Sequence, residues 1–220
     1  FSIPPLVTEK QLEAKLDEVG LSKDTKVRMA LTLANAVHKN QIRYSRVPVL
    51  EEHIYPTTLF GIAYQEHEKS KGNPEFSMIH PEGPITTLLH DVPDDGNVSK
   101  PEISKMFGQT PTELLWPLTD EFYRYVRSYD EKISEKFRIL KGLSWPTQIG
   151  GLADRLANSL CYYTPPYIDS QTGEPQAVMQ RQLKRDQLIV IPFAKEVSPD
   201  FFFPMFMELM SYYRTKYHQL

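Results

Sequence analysis

Cysteine is nearly absent: Cys161 is the only one in 220 residues, so an intrachain disulfide framework and a thiolate zinc site are both excluded. Long apolar runs are missing too. The strongest, Phe201 to Met207, is cut by Pro204 and followed by Glu208, well short of the ~18 residues that span a bilayer. No basic stretch precedes an apolar core near the start, so a secretory leader is not expected, and the chain reads as soluble and cytoplasmic. Charge is balanced, with 25 Lys+Arg against 28 Asp+Glu and a net charge of −3. A general nucleic-acid binder would show a basic excess, so neither nucleic acid nor a membrane is expected as a partner. Strand signals are scarce, with no regular alternation and no hairpin dipeptide between β-runs. What the chain does have is 40% hydrophobic residues, including 12 Tyr and 11 Phe, enough to bury a core and to exclude global disorder.

Helical punctuation recurs instead. Thr8 to Gln11 has the spacing of a capping box, followed by Leu12, Leu16 and Val19 on one stripe. A second helix starts near Asp24 and carries Val27, Ala30 or Leu31, Ala34 and Val37. Pro84 suits the first turn of a helix through Leu88 and Leu89. Ser99 and Glu102 form another box, with Gly108 as the stop. Thr110 to Glu113 repeats the start signal, and Asp130 can cap a segment bearing Ile133, Phe137 and Leu140. Leu188 to Ile191 can form a short strand, but Pro192 follows at once. His67 to Pro84 and Thr164 to Gln176 read as polar surface loops rather than domain boundaries. The expectation is one all-α domain over residues 1–220, with about eight to ten helices.

Three stretches carry chemistry. In Leu88-Leu89-His90-Asp91-Val92-Pro93-Asp94-Asp95, an apolar approach delivers a His-Asp pair with two more carboxylates close behind. Pro93 disfavours helix at Val92, so the helix should end near the pair. Imidazole and carboxylate together suit a borderline or hard divalent ion such as Mn²⁺, although a His-Asp dipeptide alone also reads as a solvated helix end. Asp154 sits inside the apolar stripe of Leu152, Leu156 and Leu160, where a buried carboxylate needs a partner; Arg155 or a metal ion can supply it. The run from His38 to Arg46 is basic and reads equally as a solvated helix end or as an anion cradle with a stacking guanidinium.

In order, these stretches resemble the metal-dependent hydrolase domain of the RelA/SpoT alarmone enzymes, an HD-domain branch of phosphohydrolases. The matching pieces are His38, Gln41, Arg43, Ser45, Pro48 and His53, then Leu88 to Asp95, then Leu152 to Asn158, so the likeness runs over about residues 25–215. Each motif is weak alone; four in order, counting the His38–Arg43 and Ser45–His53 pieces separately, are more specific. The resemblance implies a single HD-type helical hydrolase domain, like the stand-alone small alarmone hydrolases, that removes the 3′-pyrophosphate of (p)ppGpp with one Mn²⁺. It puts the metal ligands on His53, His90, Asp91 and Asp154, and water activation on Asp94 and Asp95. It gives nucleotide contacts to Arg43, Tyr44, Ser45 and Asn158. Three departures stand out. Asp94 replaces the family glutamate and is one methylene shorter. His53 lies one residue farther from Pro48 than the family histidine, which assumes a one-residue insertion; strict alignment puts Glu52 there. Ala157 and Gly150-Gly151 replace larger residues of the last motif.

Two other readings compete: a nucleotide sensor on the same fold that does not turn over, and a helical interaction module with coincidental motifs. Within the enzyme class, (p)ppApp or NADPH are alternative substrates. A homo-oligomer is compatible with the aromatic stretch from Phe201 to Tyr217, which reads mainly as core. His67, His80 and His218 read as loop or surface histidines, and Cys161 as a buried packing residue.

Overall fold

The local caps shape the first half of the chain in a computed structural model that describes residues 6–43, 45–161 and 177–217. Thr8 and Gln11 close the expected capping box ahead of α1 (Glu9–Glu18), and Asp24 accepts the Val27 N–H ahead of α2 (Thr25–His38). A π-helical turn, Leu50–Ile54, leads directly into α3 (Tyr55–Ser70). α4 (Glu82–Leu89) follows with Pro84 in its first turn, and a four-residue α5 (Val92–Asp95) starts just beyond the His-Asp pair. α6 (Lys100–Phe107) uses the Ser99–Glu102 box and stops at Gly108, whose φ of 88° suits glycine. α7 (Gln109–Leu115), α8 (Tyr129–Leu140), α9 (Trp145–Leu160), α10 (Ala177–Arg185), α11 (Ile191–Val197) and α12 (Phe202–Lys216) complete the order.

The expected all-α class is the one observed: among the described residues the only β feature is an isolated bridge between Ile42 and Pro48. Several boundaries differ from the sequence reading. Leu188 to Ile191 is not a strand; Asp186–Val190 forms a second π-turn that joins α10 to α11 in one unbroken helical stretch. Asp130 does not cap α8, because Ser128 accepts the Glu131 N–H, while Asp130 pairs with Arg185. α7 begins at Gln109 directly behind Gly108, so Thr110 is no cap. The region 67–84 is mostly ordered, since α3 runs to Ser70 and Asn73 caps a short 3₁₀ turn, Pro74–Phe76. The loop expected at Thr164 to Gln176 lies outside the described residues. With the unbroken 177–197 stretch taken as one helix and the short α5 set aside, ten helices remain among the described residues, within the expected range.

Two apolar clusters hold the fold. One gathers Leu12, Leu16, Val27, Ala30, Ile54, Ile62, Leu88 and Ile103; the other gathers Phe137, Leu152, Leu156, Phe193, Phe202 and Phe206. α3, α4 and α9 pack on one another between them. Small residues permit that approach: a Cβ at Gly150 would stand 2.8 Å from Leu118 Cδ1 and 3.4 Å from Thr86 Cγ2. No helix among the described residues is long and apolar enough to cross a membrane.

Candidate metal centre

The π-turn ahead of α3, the end of α4 and the middle of α9 each present one face to a common point. A π-turn takes up one residue more than an α-helical turn. It rotates His53 inward here, while Glu52 turns towards Ser45 and Arg43. His53 Nε2 lies 2.9 Å from His90 Nε2, 3.2 Å from Asp91 Oδ2 and 3.4 Å from Asp154 Oδ1. His90 Nε2 lies 3.3 Å from Asp91 Oδ2 and 3.7 Å from Asp154 Oδ1. His53, His90 and Asp91 alone already form a group able to hold a metal ion.

The donor set fits a divalent cation. His90 Nδ1 is 2.7 Å from the Thr87 carbonyl, which can only accept, so Nδ1 carries the hydrogen and a singly protonated His90 aims a bare Nε2 into the cluster. Two imidazole nitrogens 2.9 Å apart and flanked by two carboxylates need either a hydrogen between them, which a neutral His53 can donate from Nε2, or a metal ion bound by both in its place. Donors held about 2.0–2.2 Å from one ion are themselves roughly 3–3.6 Å apart, the spacing seen here. The electrostatics point the same way. Burial opposes a proton on His90, but the Asp91 charge and hydrogen bond, with Asp154, outweigh it and push the imidazole up to about 9. Burial likewise opposes charge on Asp91, yet His90 and His53 hold its carboxyl well below the usual range. Asp154 is also lowered, burial being outweighed by Lys136 and the two imidazoles. His53 is lowered because burial dominates there. The carboxylates thus draw a proton into a place suited to a cation.

A cavity of about 360 Å³ opens beside these donors. Arg43, Asp94, Asp95, Asp120, Lys132, Lys136 and Asn158 line it, together with His53, Asp91 and Asp154. Arg43 projects from a closed loop, where its N–H meets the Val47 carbonyl at 2.9 Å and Val49 N–H meets the Gln41 carbonyl at 3.0 Å. Its guanidinium is tied at the edges: Nη2 donates to Asn158 Oδ1 at 2.9 Å and Nε is 3.4 Å from Glu52 Oε2. Edge bonding of this kind leaves the planar face for stacking. Asn158 Nδ2 in turn donates to Asp154 Oδ1 at 2.7 Å, and Ser45 Oγ donates to Glu52 Oε2 at 2.6 Å.

Of the residues singled out from the sequence, His53, His90, Asp91 and Asp154 converge, and Asp94, Asp95, Arg43 and Asn158 line the adjoining cavity. Ser45 reaches it only through Glu52 and Arg43. Tyr44 lies outside the described residues. Arg155 is not the partner of Asp154: its Nε bonds the fully buried Asp186 at 2.5 Å, whereas Asp154 faces Lys136 Nζ at 3.4 Å. Sequence reasoning missed Lys132 and Lys136. Their i,i+4 spacing on α8 was the available signal, but it is indistinguishable from a solvated helix face.

No protein-family model and no curated protein match the sequence. Among solved structures, the chain is similar to a protein described as a metazoan ortholog of SpoT that hydrolyzes ppGpp and plays a role in starvation responses. The TM-score is 0.54 at 20% identity, covering 88% of this chain and 96% of that one. At this identity the likeness speaks for the fold alone, and the fold shared is all-α, as expected from the sequence.

Proposed function

We propose that the chain is a metal-dependent hydrolase that removes the 3′-pyrophosphate of alarmone nucleotides such as (p)ppGpp, with Mn²⁺ held by His53, His90, Asp91 and Asp154. The observation that carries this reading is the pair of buried imidazole nitrogens 2.9 Å apart between two carboxylates, beside a cavity lined by both basic and acidic side chains. The ppGpp hydrolysis of the structural neighbour supports it.

A divalent ion in this position would offset diphosphate charge and acidify water. The remaining chemistry belongs to the chain. Lys132 and Lys136 face the cavity from α8 and can take the pyrophosphate oxygens, while the open face of Arg43 can stack on a purine. Asn158 links that guanidinium to Asp154, so base recognition and the metal ligands share one hydrogen-bonded line. The acidic pair Asp94-Asp95 borders the same space and supplies the acceptor for the proton of water. Water's oxygen joins the phosphorus, the bond from phosphorus to the ribose 3′ oxygen breaks, and the products are pyrophosphate and a free 3′ hydroxyl.

Purified protein with Mn²⁺, tested on ppGpp, ppApp and NADPH, is expected to release pyrophosphate from an alarmone and to stop on addition of EDTA. Nucleotide binding with no product over hours would instead identify a sensor; binding of neither metal nor nucleotide would leave only an interaction module.

A further inference from the structure

The two consecutive carboxylates beside the metal donors have different surroundings. Asp94 spends both oxygens on backbone: Oδ2 accepts the Asp120 N–H at 2.7 Å and Oδ1 accepts the Glu121 N–H at 3.0 Å. That backbone carries Asp120, whose Oδ2 takes a hydrogen bond from Lys132 Nζ at 2.8 Å. Asp94 therefore fixes the cavity wall on which Lys132 is anchored. Burial raises the Asp94 carboxyl despite these two donors, but each of its oxygens is already engaged by a backbone N–H, which is an anchoring geometry.

Asp95 is built in differently. Its Oδ2 lies 3.5 Å from His38 Nδ1, and the Gln41 side chain also faces its carboxylate. His38 is fully buried at the end of α2, and its Nδ1 is 2.7 Å from Gln41 Oε1. An amide oxygen only accepts, so His38 donates to it and the Gln41 –NH₂ end is free to face Asp95. Backbone bonds seat Gln41 as well, its N–H on the His38 carbonyl at 2.9 Å and its carbonyl on the Val49 N–H at 3.0 Å. Asp95 thus has a rigid support on one side and the cavity on the other.

We infer that the two carboxylates divide the work: Asp94 is a positioning residue that pins the 120–121 backbone, and Asp95, seated by Gln41 and His38, takes the proton of the attacking water. The base assignment rests on the hydrolase reading above. In the step, one O–H bond of water breaks towards Asp95 as the O–P bond forms. The electron pair of the broken P–O bond leaves on the ribose 3′ oxygen, which takes up a proton from solvent.

The test uses the whole 220-residue chain carrying Asp94→Asn, Asp95→Asn, Gln41→Leu or the double change Asp95→Asn/Gln41→Leu. Readouts are Mn²⁺ titration, kcat and KM for the alarmone, and amide exchange across 119–123. Asp95→Asn is expected to lower kcat by about 10²–10⁴-fold, with Mn²⁺ still bound. Gln41→Leu should lower kcat about tenfold alone and add nothing in the double variant, because it acts through Asp95. Asp94→Asn should raise KM more than it lowers kcat and speed exchange at Asp120 and Glu121. Equal kcat losses at both positions with unchanged exchange, or an additive Gln41→Leu effect, would overturn the division. A wild-type protein that releases no pyrophosphate would overturn the hydrolase reading and the base assignment together, while exchange at Asp120 and Glu121 would still decide the pinning of that segment.

Discussion

Glu52 and His53 are neighbours in the chain and both are buried, yet they serve different partners: Glu52 pairs with Arg43 and Ser45, and His53 joins the metal donors. Which of the two would enter the cluster was open in the sequence, since it depends on the helical phase of one turn. His90 and Asp91 were legible because an apolar run leads straight into them; α4 does end at Leu89, but the expected exclusion of helix at Val92 fails, since Val92 opens α5 with Pro93 in its first turn. The Asp154 partner was not legible, because the choice between Arg155, Lys136 and an ion depends on how α8 lies across α9. Removing one charge from the cluster gives a sharp expectation. Asp91→Asn deletes the anion 3.2 and 3.3 Å from the two imidazoles, so alarmone turnover should fall below detection. Turnover within threefold of wild type would remove Asp91 from the site.

At the scale of elements, the legible parts were those set by local bonds. The Thr8, Asp24 and Ser99 caps depend on residues three apart and appear as read. The π-turns were not legible, because an extra residue in a turn is tolerated only where tertiary packing holds it. The α9 glycines show how packing constrains such positions. Gly150→Leu would push side-chain atoms into Leu118 and Thr86, and overpacking of about 1–3 kcal/mol should exceed the gain of about 0.8–1.0 kcal/mol from removing a helical glycine. A lower denaturation midpoint with unchanged m is expected; equal or greater stability would contradict the tight approach of α9. Another element contact should titrate. Lys71, at the end of α3, sits 2.9 Å from Glu68 and 2.6 Å from Asp200. Its hydrogen bond lowers the Asp200 carboxyl; at Glu68, burial is overridden by Asn73 and Lys71, and that carboxyl is lowered too. Groups lowered in the folded state stabilise above their unfolded values near 4, and that contribution vanishes as pH falls through the lowered values. The stability gap between wild type and Asp200→Asn should therefore be small, given the exposure of Asp200, and should close below about pH 4. A gap that widens in acid would contradict the pairing.

For the molecule as a whole, the all-α class followed from what the sequence lacks, and the order of motifs anticipated the fold shared with the metazoan ppGpp hydrolase. What composition and periodicity could not supply was the meeting of the π-turn, the α4 terminus and mid-α9, because residues 53, 90 and 154 come together only through packing of α3, α4 and α9. A ligand that binds only the folded chain stabilises it by mass action, so an ion held there also joins the three helices. The most direct measurement is calorimetric titration of Mn²⁺ into metal-stripped protein, with elemental analysis of the product. One tightly bound equivalent per chain, with a raised melting temperature, is the predicted result. No bound manganese at saturating concentration, with an unchanged melting temperature, would contradict the claim that His53, His90, Asp91 and Asp154 form a metal centre.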